Sequence, residues 1–220
     1  MEPIVLHDNA DFLVVYKPNG LNSDRDKLGN PSLEEWLKSY YHRKIFLVHR
    51  LDRPVSGILL CAKKKSVLQY FQENWEDFSK KYLVIIEGNL KQTNGTLEHF
   101  HYKDLKQMKA LISEKPKEGY KPCKLKFKKI KELEGKDLLE IELITGKYHQ
   151  IRAQLAFIGH PIVGDTYYGS KFEIKTQENN PMIALHSFQL EFYYKNKFNR
   201  FEGLPQDFFW NYYVKEIEKR

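Results

Sequence analysis

A single aspartate lies between two arginines in a short loop that could carry chemistry. The loop, His49–Gly57, contains Arg50, Asp52 and Arg53, and a proline and a glycine restrict its backbone. Short apolar runs on both sides predict strands that flank the loop. Spacing alone leaves two interpretations open. Asp52 either forms an ordinary exposed ion pair with a neighbouring arginine, which contributes little to stability, or serves as a reactive carboxylate.

A tyrosine and an arginine further along the chain are the next candidates. Tyr82 opens the predicted strand 80–88, directly after two lysines. A tyrosine there can lay its ring on a bound base, or it can be an ordinary half-buried residue. Arg152 falls near the start of the predicted helix 149–158, where a cation opposes the helix macrodipole. We therefore expect an anionic partner for Arg152, and Asp52 is one candidate.

Lys17 follows the predicted strand 12–16. The next residues, Pro18-Asn19-Gly20, stop the strand because proline lacks an N–H donor and Asn-Gly favours a turn. Lys17 is then either a lysine beside the cleft that the strands border or a solvent-exposed side chain.

Nearly all of the net charge of +7 is concentrated in one segment. Residues 99–131 contain eleven lysines and three acidic residues, whereas the rest of the chain carries 25 basic and 26 acidic residues. Such a segment suits a polyanion and indicates nucleic acid, although a solvated charged hairpin has the same composition. Its glycines and prolines predict short strands with a flexible excursion over 113–122.

The sequence pattern also predicts the elements that position these residues. Ser32 and Glu35 form a capping box before a first helix, and Ser66 with Gln69 predicts the start of a second. Alternating residues over 137–144 predict a strand. The expected buried face of the first helix comprises Leu33, Trp36, Leu37 and Tyr40.

Composition indicates a globular chain of 220 residues, with 41% hydrophobic and 30% charged residues. We expect a single domain over 1–220, or one domain in two lobes. No secretory signal and no apolar run of membrane-spanning length is evident. Cys61 and Cys123 fit a reduced, cytoplasmic setting. The histidines and cysteines show no HExxH or CxxC spacing, so no metal site is predicted.

Four separated motifs match one family in chain order. They are His49–Gly57, Lys80-Lys81-Tyr82, Thr145–Arg152 and Gly159–Asp165. Together they resemble an RNA pseudouridine synthase of the RluA type, in a short single-domain form without the S4-type RNA-binding domain. The resemblance runs from about residue 17 to 192, and the first and third motifs are the most specific.

The resemblance implies a fold and a set of roles. The fold is α+β, with a central, mixed but mostly antiparallel sheet, flanking helices and a basic RNA-binding cleft. Asp52 matches the essential catalytic aspartate, and Arg152 matches the arginine that pairs with it. Tyr82 matches the tyrosine that stacks on the target base, and Arg50 matches the residue that helps displace the target nucleotide.

Further expectations follow from the same resemblance. Lys17, His149 and Gln150 are expected to bind substrate. The partner is RNA, either tRNA or rRNA, and the enzyme is expected to act as a monomer without cofactor, metal or membrane. Lys147-Tyr148 replaces the commoner Arg-Thr of the family motif, which puts substrate preference in doubt more than activity.

Pseudouridylation needs a carboxylate near C1′ of the ribose, as a nucleophile on the sugar or as a base toward C2′, and the sequence does not choose between them. The target base must also leave its stack to reach Asp52. We further hypothesise that residues 103–131 grip the RNA backbone as a mobile flap. Two other interpretations stay open: an RNA-binding or RNA-remodelling protein with little chemistry, and a structural ribosome-associated protein.

Overall fold

A computed structural model describes residues 2–26, 29–176, 180–211 and 213. The chain divides into two compact units. The first unit comprises Met1–Phe78, Lys175–Met182 and His186–Pro205, and the second comprises Ser79–Ile174, Ile183–Leu185 and Gln206–Arg220.

The described residues contain eleven strands and three α-helices with defined bounds, and residues 208–211 are also helical. The strands are β1 Ile4–Asp8, β2 Phe12–Lys17, β3 Phe46–Leu47, β4 Ser56–Ala62, β5 Ser79–Glu87, β6 Asn94–Asp104, β7 Lys109–Ser113, β8 Lys121–Leu133, β9 Lys136–Leu143, β10 Leu185–Tyr194 and β11 Lys197–Glu202. The helices are α1 Leu33–Tyr41, α2 Lys65–Glu73 and α3 Gln150–Phe157, and two short 3-10 helices span Trp75–Asp77 and Thr166–Tyr168.

In the first unit the strand order is β1-β2-β4-β10, with β3 on β4 and β11 on β10. In the second unit it is β5-β9-β8-β6-β7. All of these pairs are antiparallel except β4 with β10, which is parallel. The predicted α+β architecture with a mixed, mostly antiparallel sheet is therefore confirmed.

An aromatic core underlies the strands of the first unit. Every residue of β2 and of β4 is buried, so both strands read as nearly continuous apolar runs. Phe78 stacks on Phe192 with ring centroids 4.8 Å apart, and Phe12 meets Phe71 edge to face at 5.8 Å. This core fixes both strands and so fixes the loop that enters β4.

The helix predictions hold in part. Ser32 caps α1 as predicted, because its hydroxyl accepts the Glu35 N–H at 3.3 Å. Tyr40, predicted to be buried, is 61% exposed and stacks on Trp36 instead. The second helix begins at Lys65 rather than after a Ser66 cap, and its N-cap residue makes no side-chain hydrogen bond. Among the described residues, no helix is both long and apolar enough to cross a membrane.

Candidate active site

A buried serine anchors the backbone of the loop that carries Asp52. The Ser23 hydroxyl accepts the N–H of Leu51 at 3.0 Å and donates to the carbonyl of Leu51 at 2.7 Å. The N–H of Val55 donates to the carbonyl of Asp52 at 3.0 Å, which closes a turn. Leu51 and Val55 are buried and Asp52 is partly buried. The carboxylate is thus carried on a turn whose two flanks are anchored in the core.

Arg53 ties the same loop to the Asn19-Gly20 turn. The N–H of Gly20 donates to the carbonyl of Arg53 at 2.7 Å, and Arg53 Nε donates back to the carbonyl of Gly20 at 3.0 Å. Gly20 has φ +80°, and a Cβ there would lie 2.6 Å from Cβ of Asn180. The turn therefore requires glycine, both for its backbone conformation and for this close approach.

Arg50 makes an exposed ion pair with Asp24, with Nη1 and Oδ2 2.8 Å apart. The observed contacts of Arg50 and Arg53 are thus with Asp24 and Gly20. The interpretation of Asp52 as the surface partner of these two arginines finds no support in this geometry.

Lys17 is fully buried, which excludes the alternative of a solvent-exposed side chain. Its Nζ donates to the carbonyls of Pro18 at 2.9 Å and Leu21 at 2.8 Å. Burial lowers the pKa of Lys17 to about 7, and the negative charge of Asp52 opposes that shift. Asp52 therefore lies within electrostatic reach of this ammonium. Full burial argues against the predicted direct contact of Lys17 with substrate.

Tyr82 lies on β5, opposite Ile141 of β9, and is 8% exposed. The neighbouring Lys81 pairs with Glu140 at 3.3 Å. Tyr82 is thus the fourth residue of β5, so the prediction that it opens the strand is wrong. Its stacking on a base stays a prediction.

Arg152 has the anionic partner that its place in the helix led us to expect. Its Nε lies 2.6 Å from Oδ2 of Asp165, and its Nη2 lies 2.9 Å from Oδ1. Both side chains are buried, so this is a two-point, desolvated ion pair. Asp165 accepts two of the N–H donors of the guanidinium within the second unit, and the pairing of Arg152 with Asp52 stays a prediction.

Tyrosine rings flank the same guanidinium. The Arg152 Cζ lies 5.0 Å from the ring centroid of Tyr168 and 6.0 Å from that of Tyr167. Burial raises the pKa of Tyr168 to about 12, so its hydroxyl keeps its proton at neutral pH. That oxygen accepts the N–H of Ala110 at 2.8 Å. Arg152 is therefore fixed by charge on one side and by aromatic rings on another.

His149 and Gln150 lie at the start of helix α3 and have different surroundings. His149 is the N-cap residue with φ +50°, and its ring stacks on Tyr148 with centroids 3.7 Å apart. Gln150 is buried, and all four hydrogen-bonding positions of its amide are filled. Its Oε1 accepts from Thr145 Oγ1 and Lys147 N, and its Nε2 donates to Lys124 O and Gln154 Oε1. This full set argues against the predicted binding of substrate by Gln150.

The lysine-rich segment forms strands β6, β7 and β8, so the prediction of strands is confirmed, but the prediction that all are short is wrong, because β6 has 11 residues and β8 has 13 and runs through Pro122. In the described part of the chain, no group of three or more His, Cys, Asp or Glu side chains is arranged to hold a metal ion.

The sequence analysis assigned no role to three residues that make contacts described above, namely Asp165, Tyr168 and Ser23. Asp165 lies in the Gly159–Asp165 motif, so its position was flagged but its partner was not. Tyr168 follows it in the same loop. Ser23 gave no signal, because a lone serine 28 positions before Leu51 has no spacing that indicates contact.

A family-wide sequence comparison matches residues 11–157 to the family described as RNA pseudouridylate synthase. The chain is 33% identical over 86% of its length to an uncharacterized RNA pseudouridine synthase of Mycoplasma pneumoniae. It is 31% identical over 97% of its length to ribosomal large subunit pseudouridine synthase C of Buchnera aphidicola. The chain covers 61% and 70% of the lengths of these two relatives.

The fold also matches a solved structure. Human RNA pseudouridylate synthase domain containing 1 superimposes with a TM-score of 0.73, over 93% of this chain and 84% of the human one. The two sequences are 22% identical, so this likeness concerns the fold alone.

Proposed function

Because the chain belongs to the RNA pseudouridylate synthase family, we propose that it isomerises a uridine to pseudouridine in structured RNA. The observation that carries the proposal is the loop geometry around Asp52. A partly buried carboxylate stands on a turn that Ser23 and Gly20 anchor, and Lys17 places a buried amine within its electrostatic reach. Packing alone gives no reason for a carboxylate at this position.

The proposed reaction needs no net oxidation. The bond between N1 and C1′ of uridine breaks, the base rotates, a bond forms between C5 and C1′, the C5 proton leaves to water, and N1 takes up a proton from water. Asp52 acts at the sugar, as a nucleophile on C1′ or as a base toward C2′. Lys17 acts on Asp52 through its charge rather than by touching RNA.

The other assignments rest on the family motifs. We propose that Tyr82 supplies a ring for the displaced base and that Arg152 pairs with Asp52 as well as with Asp165. Arg50, exposed and bound to Asp24 alone among the described groups, exchanges that partner for RNA during displacement of the target nucleotide.

The printed names of relatives favour ribosomal RNA as the substrate class, with tRNA as the alternative. We also propose that the protein acts as a monomer in the cytoplasm. We further propose that its two units belong to one catalytic domain. The two free cysteines, Cys61 and Cys123, are consistent with a reducing compartment.

Release of tritium from RNA carrying 5-tritiated uridine tests this proposal. Wild-type protein should release tritium, and Asp52→Asn should lower the rate by at least about a thousandfold, roughly 4 kcal/mol of transition-state stabilisation. Asp77→Asn, the same change at an exposed aspartate in the same unit, serves as the control and should keep the wild-type rate. Equal rates for wild type and Asp52→Asn, or no release by wild type, would contradict the proposal.

A further inference from the structure

The lysine-rich segment contains two chemically different groups of lysines. On strand β8, Lys124 lies 2.6 Å from Glu98 of β6, and Lys126 lies 3.3 Å from Glu142 of β9. A carboxylate this close lowers the net positive charge that an approaching phosphate meets, so such a lysine attracts it less strongly than a lysine with no carboxylate beside it. On β8, Lys124 and Lys126 therefore each have a carboxylate beside them, although the sequence around them is strongly basic.

The loop between β6 and β7 is different, and we call Lys103–Lys109 the hairpin tip. Lys103 Nζ lies 4.6 Å from the ring centroid of Tyr148, and Lys109 Nζ lies 4.6 Å from that of Tyr167. Within the described part of the chain, Lys103, Lys106 and Lys109 make no ion pair with a carboxylate. An aromatic ring orients an ammonium without neutralising it, so these lysines keep their charge for an anion.

The one acidic residue of the hairpin tip is committed to the turn. Oδ1 of Asp104 accepts the backbone N–H groups of Lys106 at 2.8 Å and Gln107 at 3.0 Å. With three lysines and one aspartate, the tip carries a net charge of about +2 on seven residues. The side chains of Leu105 and Met108 are exposed beside this charge.

Tyrosine hydroxyls hold the hairpin tip in one conformation. The Tyr148 hydroxyl donates to the carbonyl of Met108 at 2.9 Å, and the Tyr167 hydroxyl donates to the carbonyl of Gln107 at 2.6 Å. A preformed loop loses little conformational entropy when it binds, so its lysines bind more tightly than those of a disordered arm. Because Tyr167 and Tyr168 also flank Arg152, the tip and this arginine are positioned together within the second unit.

We propose that the hairpin tip binds the phosphate backbone of the RNA substrate through Lys103 and Lys109, and that the paired lysines Lys124 and Lys126 contribute much less. This inference rests on the proposed function for the identity of the polyanion as RNA. It replaces the hypothesis of a grip spread over residues 103–131 with a small, preordered surface.

Two variants with the same loss of charge test the proposal. Lys103→Gln/Lys109→Gln removes two tip lysines, and Lys124→Gln/Lys126→Gln removes two paired lysines. Both are made in the Asp52→Asn background, so that no turnover occurs. Binding to a fluorescein-labelled RNA stem-loop with uridines in its loop is measured by anisotropy, between about 50 and 200 mM salt. Thermal melts verify that each variant is folded.

The tip variant should bind about tenfold more weakly, and its slope of log affinity against log salt should be shallower by about 1.5, since each lost phosphate contact removes roughly 0.7–0.9. The paired-lysine variant should change the slope by less than about 0.5. Equal changes in both variants, an unchanged slope in the tip variant, or no binding of the stem-loop by the parent would overturn the proposal. Because the readout is binding, an absence of tritium release from wild-type protein would count against the proposed activity only.

Discussion

Two arginines that the family motifs single out are held in opposite ways. The ion pair of Arg152 with Asp165 has side chains only 6% and 1% exposed, and it is made through two hydrogen bonds. The ion pair of Arg50 with Asp24 is made through one, with side chains 68% and 42% exposed. Burial and geometry thus separate two arginines that look equivalent in the sequence.

The difference indicates what each arginine can do. Removing one partner of a buried pair leaves an uncompensated charge, so Arg152 stays where Asp165 and the flanking tyrosines hold it. That suits a fixed electrostatic group that costs no reorganisation when charge develops during a reaction. An exposed pair is worth little and exchanges readily with water or with phosphate. That suits a side chain that must move when a nucleotide is displaced.

The largest expected effect is the loss of stability when the buried ion pair of Arg152 with Asp165 is broken. Asp165→Ala should lower the free energy of unfolding by about 3–5 kcal/mol, because the buried Arg152 guanidinium loses both of its hydrogen bonds to the Asp165 carboxylate. Asp24→Ala, the equivalent change in the exposed pair, should lower it by less than about 1 kcal/mol. Urea denaturation of both variants measures the two values. Similar losses in the two variants would show that burial does not distinguish these pairs.

A smaller effect concerns a third cation, Lys17, which is buried with carbonyl partners for its Nζ. Its pKa of about 7 in the folded protein lies below its ordinary value of 10.5 because of burial. Between these two pH values the unfolded chain holds a proton that the folded protein has released. The free energy of unfolding, taken relative to Lys17→Met, should therefore rise with pH, by on the order of 2–4 kcal/mol between about pH 7 and 10.

Denaturation of the wild type and Lys17→Met at several pH values measures this difference. A difference that is independent of pH would mean that Lys17 keeps an ordinary pKa. In that case the negative charge of Asp52 would stabilise the buried Lys17 ammonium more strongly than a pKa of about 7 indicates.

The smallest expected effect concerns the exposed arginine. Arg50→Ala should lower the rate of tritium release by about tenfold, roughly 1.4 kcal/mol, and leave the free energy of unfolding within about 1 kcal/mol of wild type. Arg25→Ala is the matched control, since Arg25 also makes an exposed pair, with Glu35 at 3.3 Å, and should keep the wild-type rate. An unchanged rate of tritium release for Arg50→Ala would show that Arg50 does not help to displace the target nucleotide.

The sequence predicted the elements better than the contacts between distant residues. Alternation gave β9 to within one residue, and the Ser32 cap and Gly159 located the ends of α1 and α3, because both signals are local. Local signals failed where tertiary packing decides. Helix α2 begins one residue early without a side-chain cap, and Tyr40 lies outside the buried face.

The candidate site shows the same division. Motif matching singled out Asp52, Tyr82 and Arg152 as candidates, but Ser23 and Asp165 act through contacts across 28 and 13 positions, which no spacing rule encodes. The motif predicts that Gln150 binds substrate, yet all the hydrogen-bonding positions of its side-chain amide are occupied by protein groups. The count of lysines in 99–131 was informative, but only cross-strand register reveals that Lys124 faces Glu98 of β6 and Lys126 faces Glu142 of β9.

Mapping of pseudouridines tests the central claim most directly. RNA from a strain that lacks this gene is incubated with purified wild-type protein or with Asp52→Asn, and every pseudouridine is then located. We predict that wild-type protein adds pseudouridine at a defined uridine in ribosomal or transfer RNA and that Asp52→Asn adds none. An unchanged map with wild-type protein, or the same new pseudouridine with both proteins, would contradict Asp52-dependent isomerisation of uridine.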